Sequence, residues 1–415
     1  MVDQTPETTP AVQADEAAEA VAQEADDAAE AVAQEAADAV EAAAAGVAGI
    51  AEVAAAGVAA GVVAAAEAEG AAVAKELADI AEAGVSTGVK VADEASGVFA
   101  VSFTYPSADG KSQINAKLWT KPAFGTPDAP GPEKPTAIIQ IVHGMAEYID
   151  RYDEMARWYV KRGFVVCAED HIGHGKTAAN AAEFGHMPIK GGKDILIADV
   201  NRLRAQVSKC YPCVPYVMYG HSMGSFIVRA YIARYGQGLA AAVLSGTGNV
   251  AAGLSKAGRG LSRFLGKIRG ERFRSKTIDG MGAGGYGKQI KDARTQLDWL
   301  STDERVVDAY IADPLCGFMF TVGGYATLLD LTAEVVTLEC ASKVPKDLPC
   351  LFVAGDGDPV GDFGKGVRAA AQLLRDAGVQ HVDDKIYEGM RHEIHNEFGR
   401  EQVFDDVATW LEGVL

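Results

Sequence analysis

The chain has 415 residues, 48% of them hydrophobic and 23% charged, with a formal net charge of −19. That is enough for two domains, or for one large domain with an extension. Residues 1–95 carry 20 acidic side chains against Lys75 and Lys90, whereas residues 96–415 carry 37 acidic and 36 basic ones. A nearly neutral globular part behind an acidic tail gives no electrostatic basis for binding nucleic acid.

The N-terminus lacks a basic region followed by an early apolar core, so a standard secretory signal is not expected. Residues 17–27 (AAEAVAQEADD) are repeated almost perfectly in residues 28–38 (AAEAVAQEAAD). This 11-residue period puts Val21 and Val32 on one side of a helix, although the apolar stripe is thin. From Ala42 to Ala66 the only charge is Glu52, and Gly57 and Gly61 form a G-x-x-x-G pair. The stretch is long enough to span a bilayer. Its pale Ala/Gly/Val composition, the cost of Glu52 and the missing basic flank favour a low-complexity, weakly helical extension instead. Residues 1–95 are read as an acidic Ala-rich tail of unknown partner.

Beyond residue 96 strands and helices alternate. Val98–Tyr105 and Ile114–Lys121, with Asp109-Gly110 between them, predict an antiparallel hairpin. Ala137–Val142, Phe164–Ala168, Tyr216–Tyr219, Ala240–Ser245 and Cys350–Ala354 are short apolar runs of the kind buried in parallel sheets. A last strand is expected near Asp384–Tyr387. Helical patterns lie between them, over Tyr152–Arg162, Asp194–Lys209, Val367–Ala377 and Val403–Leu411. The expected fold is α/β, a doubly wound, mostly parallel sheet. Residues 96–248 and 346–415 form its two parts and residues 249–345 an inserted lid.

The six cysteines all lie in this part, and Cys210-x-x-Cys213 has neither a second pair nor a nearby histidine to complete a zinc site. Buried thiols of a reducing compartment are expected, and with them a cytoplasmic location.

Gly220-His221-Ser222-Met223-Gly224 stands between a strand pattern and a helical one. A strand-to-helix turn this sharp needs glycines on both sides of the serine and exposes Ser222 Oγ above the carboxyl edge of the sheet. His143-Gly144-Met145 ends the first buried strand, where Met145 N–H and Met223 N–H can receive an oxyanion. The His143 side chain is read as a turn histidine held by backbone bonds. An acid is expected in Gly355-Asp356-Gly357-Asp358-Pro359: Asp358, stiffened by Pro359, is preferred over Asp356, which suits a turn. His381 precedes the last strand, at the wrong end of the sheet. His392 follows it, and His395 reads as a packing or capping residue. The order Ser222, Asp358, His392 is that of one serine-hydrolase architecture.

With these motifs, residues 98–415 resemble the α/β-hydrolases of the monoacylglycerol lipase and lysophospholipase group, which also includes serine aminopeptidases. The resemblance rests on His143–Glu147 with Arg151-Tyr152, Asp170–Gly175, the elbow, Asp358–Val360, and Arg391–Glu393 with Asn396-Glu397. Asp298–Ser301 and Tyr310–Cys316 resemble the lids of bacterial members. Tyr148 stands where the family usually has histidine and Ile172 where it often has arginine. The resemblance implies hydrolysis of monoacyl lipid esters through an acyl-enzyme on Ser222, with no metal and no organic cofactor. An iminopeptidase-like activity would need an acidic pocket, to which lid residues Glu304 or Asp308 are candidates. A third alternative is a tail-mediated interaction protein with an incidental hydrolase domain.

From Leu254 to Lys276 eight basic side chains face a single acid, Glu271, and Leu261, Phe264, Leu265 and Ile268 follow helical spacing. Such a basic amphipathic helix suits either peripheral contact with an anionic membrane surface or packing on the core. Its charge also makes it a potential electrostatic partner of the acidic tail.

Overall fold

The computed structural model describes residues 86–88, 97–124, 131–249 and 252–415. The tail repeat, the apolar stretch at 42–66 and any pairing of the tail with the lid lie outside the described residues. Residues from Ser86 to Leu415 form one unit, and among them no helix is long and apolar enough to cross a membrane.

The expected hairpin is β2 (Phe99–Pro106) and β3 (Gln113–Thr120), paired antiparallel from Phe99–Thr120 to Pro106–Gln113. Asp109 caps its turn by accepting from the Lys111 and Ser112 amides. The sheet starts earlier in the chain than the alternation indicates, because β1 (Ser86–Gly88) pairs with β2. Three residues carry too little pattern to be read as a strand within a low-complexity sequence.

The apolar runs become β4 (Ile138–Val142), β5 (Val165–Glu169), β6 (Tyr216–His221), β7 (Ala241–Ser245), β8 (Cys350–Gly355) and β9 (Val382–Tyr387). β4 to β8 are buried along their whole length, as continuous apolar strings require when helices cover both faces. The strand order is β1-β2-β3-β5-β4-β6-β7-β8-β9, parallel from β5 onward.

On one face, Ile139, Ile141, Val217, Tyr219, Val243 and Val353 pack with α1 (Asp153–Lys161) and with the closing helix, Arg400–Val414. α2 (Gly192–Cys210), α3 (Met223–Tyr235) and the helix Lys365–Asp376 complete the two layers. All six cysteines are free, five of them buried and Cys213 exposed.

Between β7 and β8 the chain leaves the sheet for an inserted helical segment, where the sequence predicts a lid and which is called so below. It comprises α4 (Ala252–Arg269), α5 (Lys276–Met281), α6 (Ala283–Tyr286), α7 (Glu304–Ala312), α8 (Val322–Val335) and α9 (Leu338–Ser342). α10 (Lys365–Asp376) and α11 (Arg400–Val414) follow in the second part of the core.

Candidate active site

Ser222 joins β6 to α3 with φ 53° and ψ −121°, a left-handed backbone unusual for a residue with a side chain. Its flanking glycines are obligatory for space. A Cβ on Gly224 would lie 1.9 Å from the Val142 carbonyl oxygen, and one on Gly220 would lie 2.5 Å from the Gly224 oxygen. The turn is fixed further by the Ser222 amide, which donates to the Ser245 carbonyl at 2.9 Å. Met223 opens α3, so its amide has no acceptor one turn back in the same helix.

The loop after β4 comes up against the serine. A Cβ on Gly144 would stand 2.5 Å from Glu147 Oε1 and 3.1 Å from Ser222 Cβ, so a side chain there would crowd both residues. Two residues on, Ala146 has φ 54°, and its carbonyl accepts from Tyr310 Oη at 2.8 Å and from the Gly317 amide at 3.0 Å, both of the lid. Met145 lies between these anchored positions and lines the same cavity as Ser222, Met223 and His392.

The His143 ring lies away from that chemistry. Its Nε2 accepts from the His171 amide at 3.0 Å, which leaves Nδ1 to carry the proton and donate to the Gly144 carbonyl at 2.8 Å. Burial, followed by His171 and His174 beside it, holds His143 well below the usual imidazole range.

Asp358 and His392 meet directly, His392 Nδ1 lying 2.9 Å from Asp358 Oδ2, with the two side chains 2% and 0% exposed. Asp358 Oδ1 accepts the Val360 amide at 2.8 Å, which fixes the carboxylate. Burial opposes charging of the imidazole, but the Asp358 charge and hydrogen bond outweigh it and the His392 pKa is raised. Asp356 is exposed and accepts the Gly389 amide at 2.8 Å, tying the ends of β8 and β9 together. His395 lies in the 3₁₀ turn Ile394–Asn396, buried and stacked on Tyr152 at 4.8 Å. Ser222 and His392 face one cavity.

A buried ionic cluster braces both loops. Arg151 donates two bonds to Glu393, at 2.8 and 2.6 Å, and one to Glu147 at 2.6 Å. Glu147 also accepts from Tyr152 Oη at 2.7 Å and from the Gly144 amide. Against the effect of burial, the two-pronged Arg151 contact holds Glu393 down at about 2. Glu147, with the weaker share of Arg151 and the Glu393 charge beside it, is raised, burial being the largest cause. The residue signal for this cluster is the spacing of Glu147 and Arg151, four apart and just past β4. Its third member, Glu393, is adjacent to His392 but some 240 positions away in sequence, beyond what spacing can reveal.

A cavity of about 570 Å³ opens on Ser222 and His392, walled by Leu261, Ile278, Met281, Phe318, Leu328 and Leu329 of the lid and by Phe226 of the core. Glu304 and Asp308 do not line it; both pair with Arg294 on the surface. Tyr148 Oη donates to Asp313 at 2.8 Å, which joins the loop after β4 to the segment inserted between β7 and β8. Among the described residues no cluster of histidine, cysteine and acidic side chains has the arrangement of a metal site.

The serine aminopeptidase S33 family matches residues 133–399, most of the described chain. The chain belongs to this family of hydrolases. The S33 hydrolase is 31% identical over 291 residues to a monoacylglycerol lipase of Mycolicibacterium smegmatis, covering 69% of this chain and 90% of that one. It is 28% identical to the monoglyceride lipase of Mus musculus, covering 67% of this chain and 82% of the mouse protein. Among solved structures, it resembles a thermostable carboxyl esterase from Bacillus coagulans in complex with glycerol. The two share 32% identity at a TM-score of 0.68, covering 76% of this chain and 98% of the other. The S33 hydrolase therefore has the α/β-hydrolase fold and is an enzyme, as its motifs imply.

Proposed function

We propose that this chain is a serine carboxylic-ester hydrolase of monoacyl lipids, of the monoacylglycerol lipase and lysophospholipase type. Ser222 Oγ attacks the ester carbonyl while His392 Nε2 takes its proton, and Asp358 holds the imidazole and stabilises its charged form. The Met145 and Met223 amides receive the oxyanion. The leaving alkoxide takes the proton from His392 as the acyl–Ser222 ester forms. Water then gives a proton to His392 and attacks that ester; the acyl–Oγ bond breaks, the fatty acid leaves and His392 returns the proton to Ser222 Oγ. Neither a metal nor an organic cofactor enters these steps.

The carrying observation is the lid-walled, mostly apolar cavity that opens on Ser222 and His392, with room for an acyl chain. The kinship with the Mycolicibacterium monoacylglycerol lipase over most of its length supports the same substrate class. Such substrates reside in lipid aggregates, so contact of the lid with a lipid surface belongs to this reading.

A peptidase would need a free carboxylate for the substrate ammonium: of the acidic residues lining the cavity, Glu147 and Glu393 are engaged by Arg151 and Asp279 accepts from Tyr325 Oη, which leaves Asp362, in no ion pair among the described residues, as the candidate that an anilide assay tests. A role confined to tail-mediated assembly leaves the cavity and the buried Asp358–His392 pair without a use. Turnover of a chain-length series of p-nitrophenyl esters, a 1-monoacylglycerol and an amino-acid p-nitroanilide tests the proposal. Esters of medium or long acyl chains should be the best substrates and the anilide negligible. Anilide turnover rivalling that of the esters would overturn the reading.

A further inference from the structure

One stretch of the lid is strapped to the loop after β9. The Trp299 and Leu300 carbonyls accept from the His392 and Glu393 amides at 3.3 and 2.7 Å. Arg391 Nη1 donates to the Asp298 and Ser301 carbonyls at 2.6 and 3.1 Å. Glu397 accepts from the Thr302 and Arg391 amides, each at 2.8 Å, and from Thr302 Oγ1. Main chain, guanidinium and carboxylate thus fix residues 298–302 at several points.

This strap sets one side chain against His392. The Trp299 and His392 ring centres are 5.0 Å apart, with their planes inclined by 44°. Trp299 is only 8% exposed, and the Tyr286 ring packs on it at 5.1 Å. Its buried Nε1 has no acceptor among the described residues, although a buried indole N–H ordinarily finds one. The position is therefore kept for the ring rather than for its polar handle. An indole attracts a cation within about 6 Å of its ring centre, most strongly where water is excluded. In acyl transfer by Ser222 the cation arises on the His392 ring.

The remaining groups around that ring are of other kinds. Asp358 bonds Nδ1, and the charges of Glu393 and Glu147 also favour the imidazolium. The His221 ring, 4.7 Å away, and His395 are kept neutral by burial.

Resting on the serine-ester reading above, we propose that Trp299 is a positioning residue of the reaction. Strapped against His392, its indole fixes the imidazole and stabilises the imidazolium that forms as Ser222 Oγ gives up its proton. The lid then serves the chemistry as well as walling the cavity.

The test replaces Trp299 in the full chain by mono-, di- and trifluorotryptophan, which weaken the π-face stepwise while nearly keeping its shape. Trp299→Leu is run beside them. The readout is the pH profile of kcat/KM on p-nitrophenyl acetate, with a thermal melt of each protein. The rising limb should move to lower pH with each added fluorine, by up to about one pH unit, and the plateau should fall by up to about tenfold. The fluorinated proteins should melt like the wild type, and Trp299→Leu should show the largest shift in the same direction. If the leucine variant does not fold, the fluorinated series decides alone. Asp358, Glu393, Glu147, His221 and His395 are the same throughout that series, so a graded shift belongs to the indole. A limb that stays in place across the series would overturn the proposal, whether or not the plateau falls. Absence of p-nitrophenyl acetate turnover by the wild type would instead refute the serine-ester reading.

Discussion

Asp358 and Asp356 are two positions apart and chemically identical, yet only Asp358 touches the His392 ring. Asp358→Asn and His392→Ala should each reduce kcat on a soluble ester by several orders of magnitude, whereas Asp356→Asn should leave it nearly unchanged. His395→Ala should show as lost stability in a denaturant melt rather than as lost chemistry, because the ring fills a buried place against Tyr152. The raised His392 pKa also has a kinetic sign. In the proposed mechanism the neutral imidazole is the base, so kcat/KM should rise with pH along a limb centred above the ordinary value of about 6.5. Asp358→Asn should move that limb down, and an unmoved limb would detach Asp358 from the titration.

A second residue-scale prediction concerns Glu169. Tyr105 Oη contacts both Glu169 Oε2 and the Asp199 carbonyl, and a single hydroxyl proton cannot serve two acceptors. The count balances when Glu169 is protonated, and burial raises its pKa to about 8. Unfolded, the group titrates near 4.3. The folded state thus holds an extra proton between those values, and stability should fall as pH rises from about 4 to about 8, by up to about 1.4 kcal/mol per pH unit. Glu169→Gln keeps a donor and carries no charge, so its denaturation midpoint should lose this pH dependence. A slope equal to that of the wild type would show that Glu169 is ionised in the fold.

At the scale of elements, the elbow and its bracing cluster differ in how visible they were in the sequence. The G-x-S-x-G turn and the strands around it were legible because steric demands and apolar runs are local: only glycine fits beneath the Val142 carbonyl, and only long apolar strings fill a two-sided sheet. The positions of Asp358 and His392 followed from strand ends for the same reason. The pairing of Arg151 with Glu393 was not legible, because unlike the Glu147–Arg151 spacing it forms only when the loop after β9 closes over the start of α1. Nor could helical spacing tell which face of α4 turns inward; packing of Gly258 and Gly266 against Leu329 and Ile189 decides that. Arg151→Met should destabilise the protein by about 3–5 kcal/mol, since it leaves two buried carboxylates facing each other. Urea melts read this directly, and a loss under 1 kcal/mol would mean that water reaches the cluster. Gly224→Ala should fail to give folded, active protein, its methyl having no space beside Val142.

At the scale of the whole molecule, the chain divides its charge from its chemistry. The sheet, the cavity and every proposed catalytic group lie within the unit Ser86–Leu415, while 20 of the acidic side chains lie in residues 1–95. A chain beginning at residue 86 should therefore keep its kcat/KM on p-nitrophenyl acetate within about twofold of the full chain. A larger loss would assign residues 1–85 a part in the site. The central claim, that one activated serine at the elbow carries the reaction, is tested most directly by fluorophosphonate labelling followed by peptide mass spectrometry. The phosphonyl adduct should sit on Ser222 alone, form more slowly in His392→Ala and be absent, with ester turnover, from Ser222→Ala. An adduct on another residue, or undiminished turnover by Ser222→Ala, would contradict it.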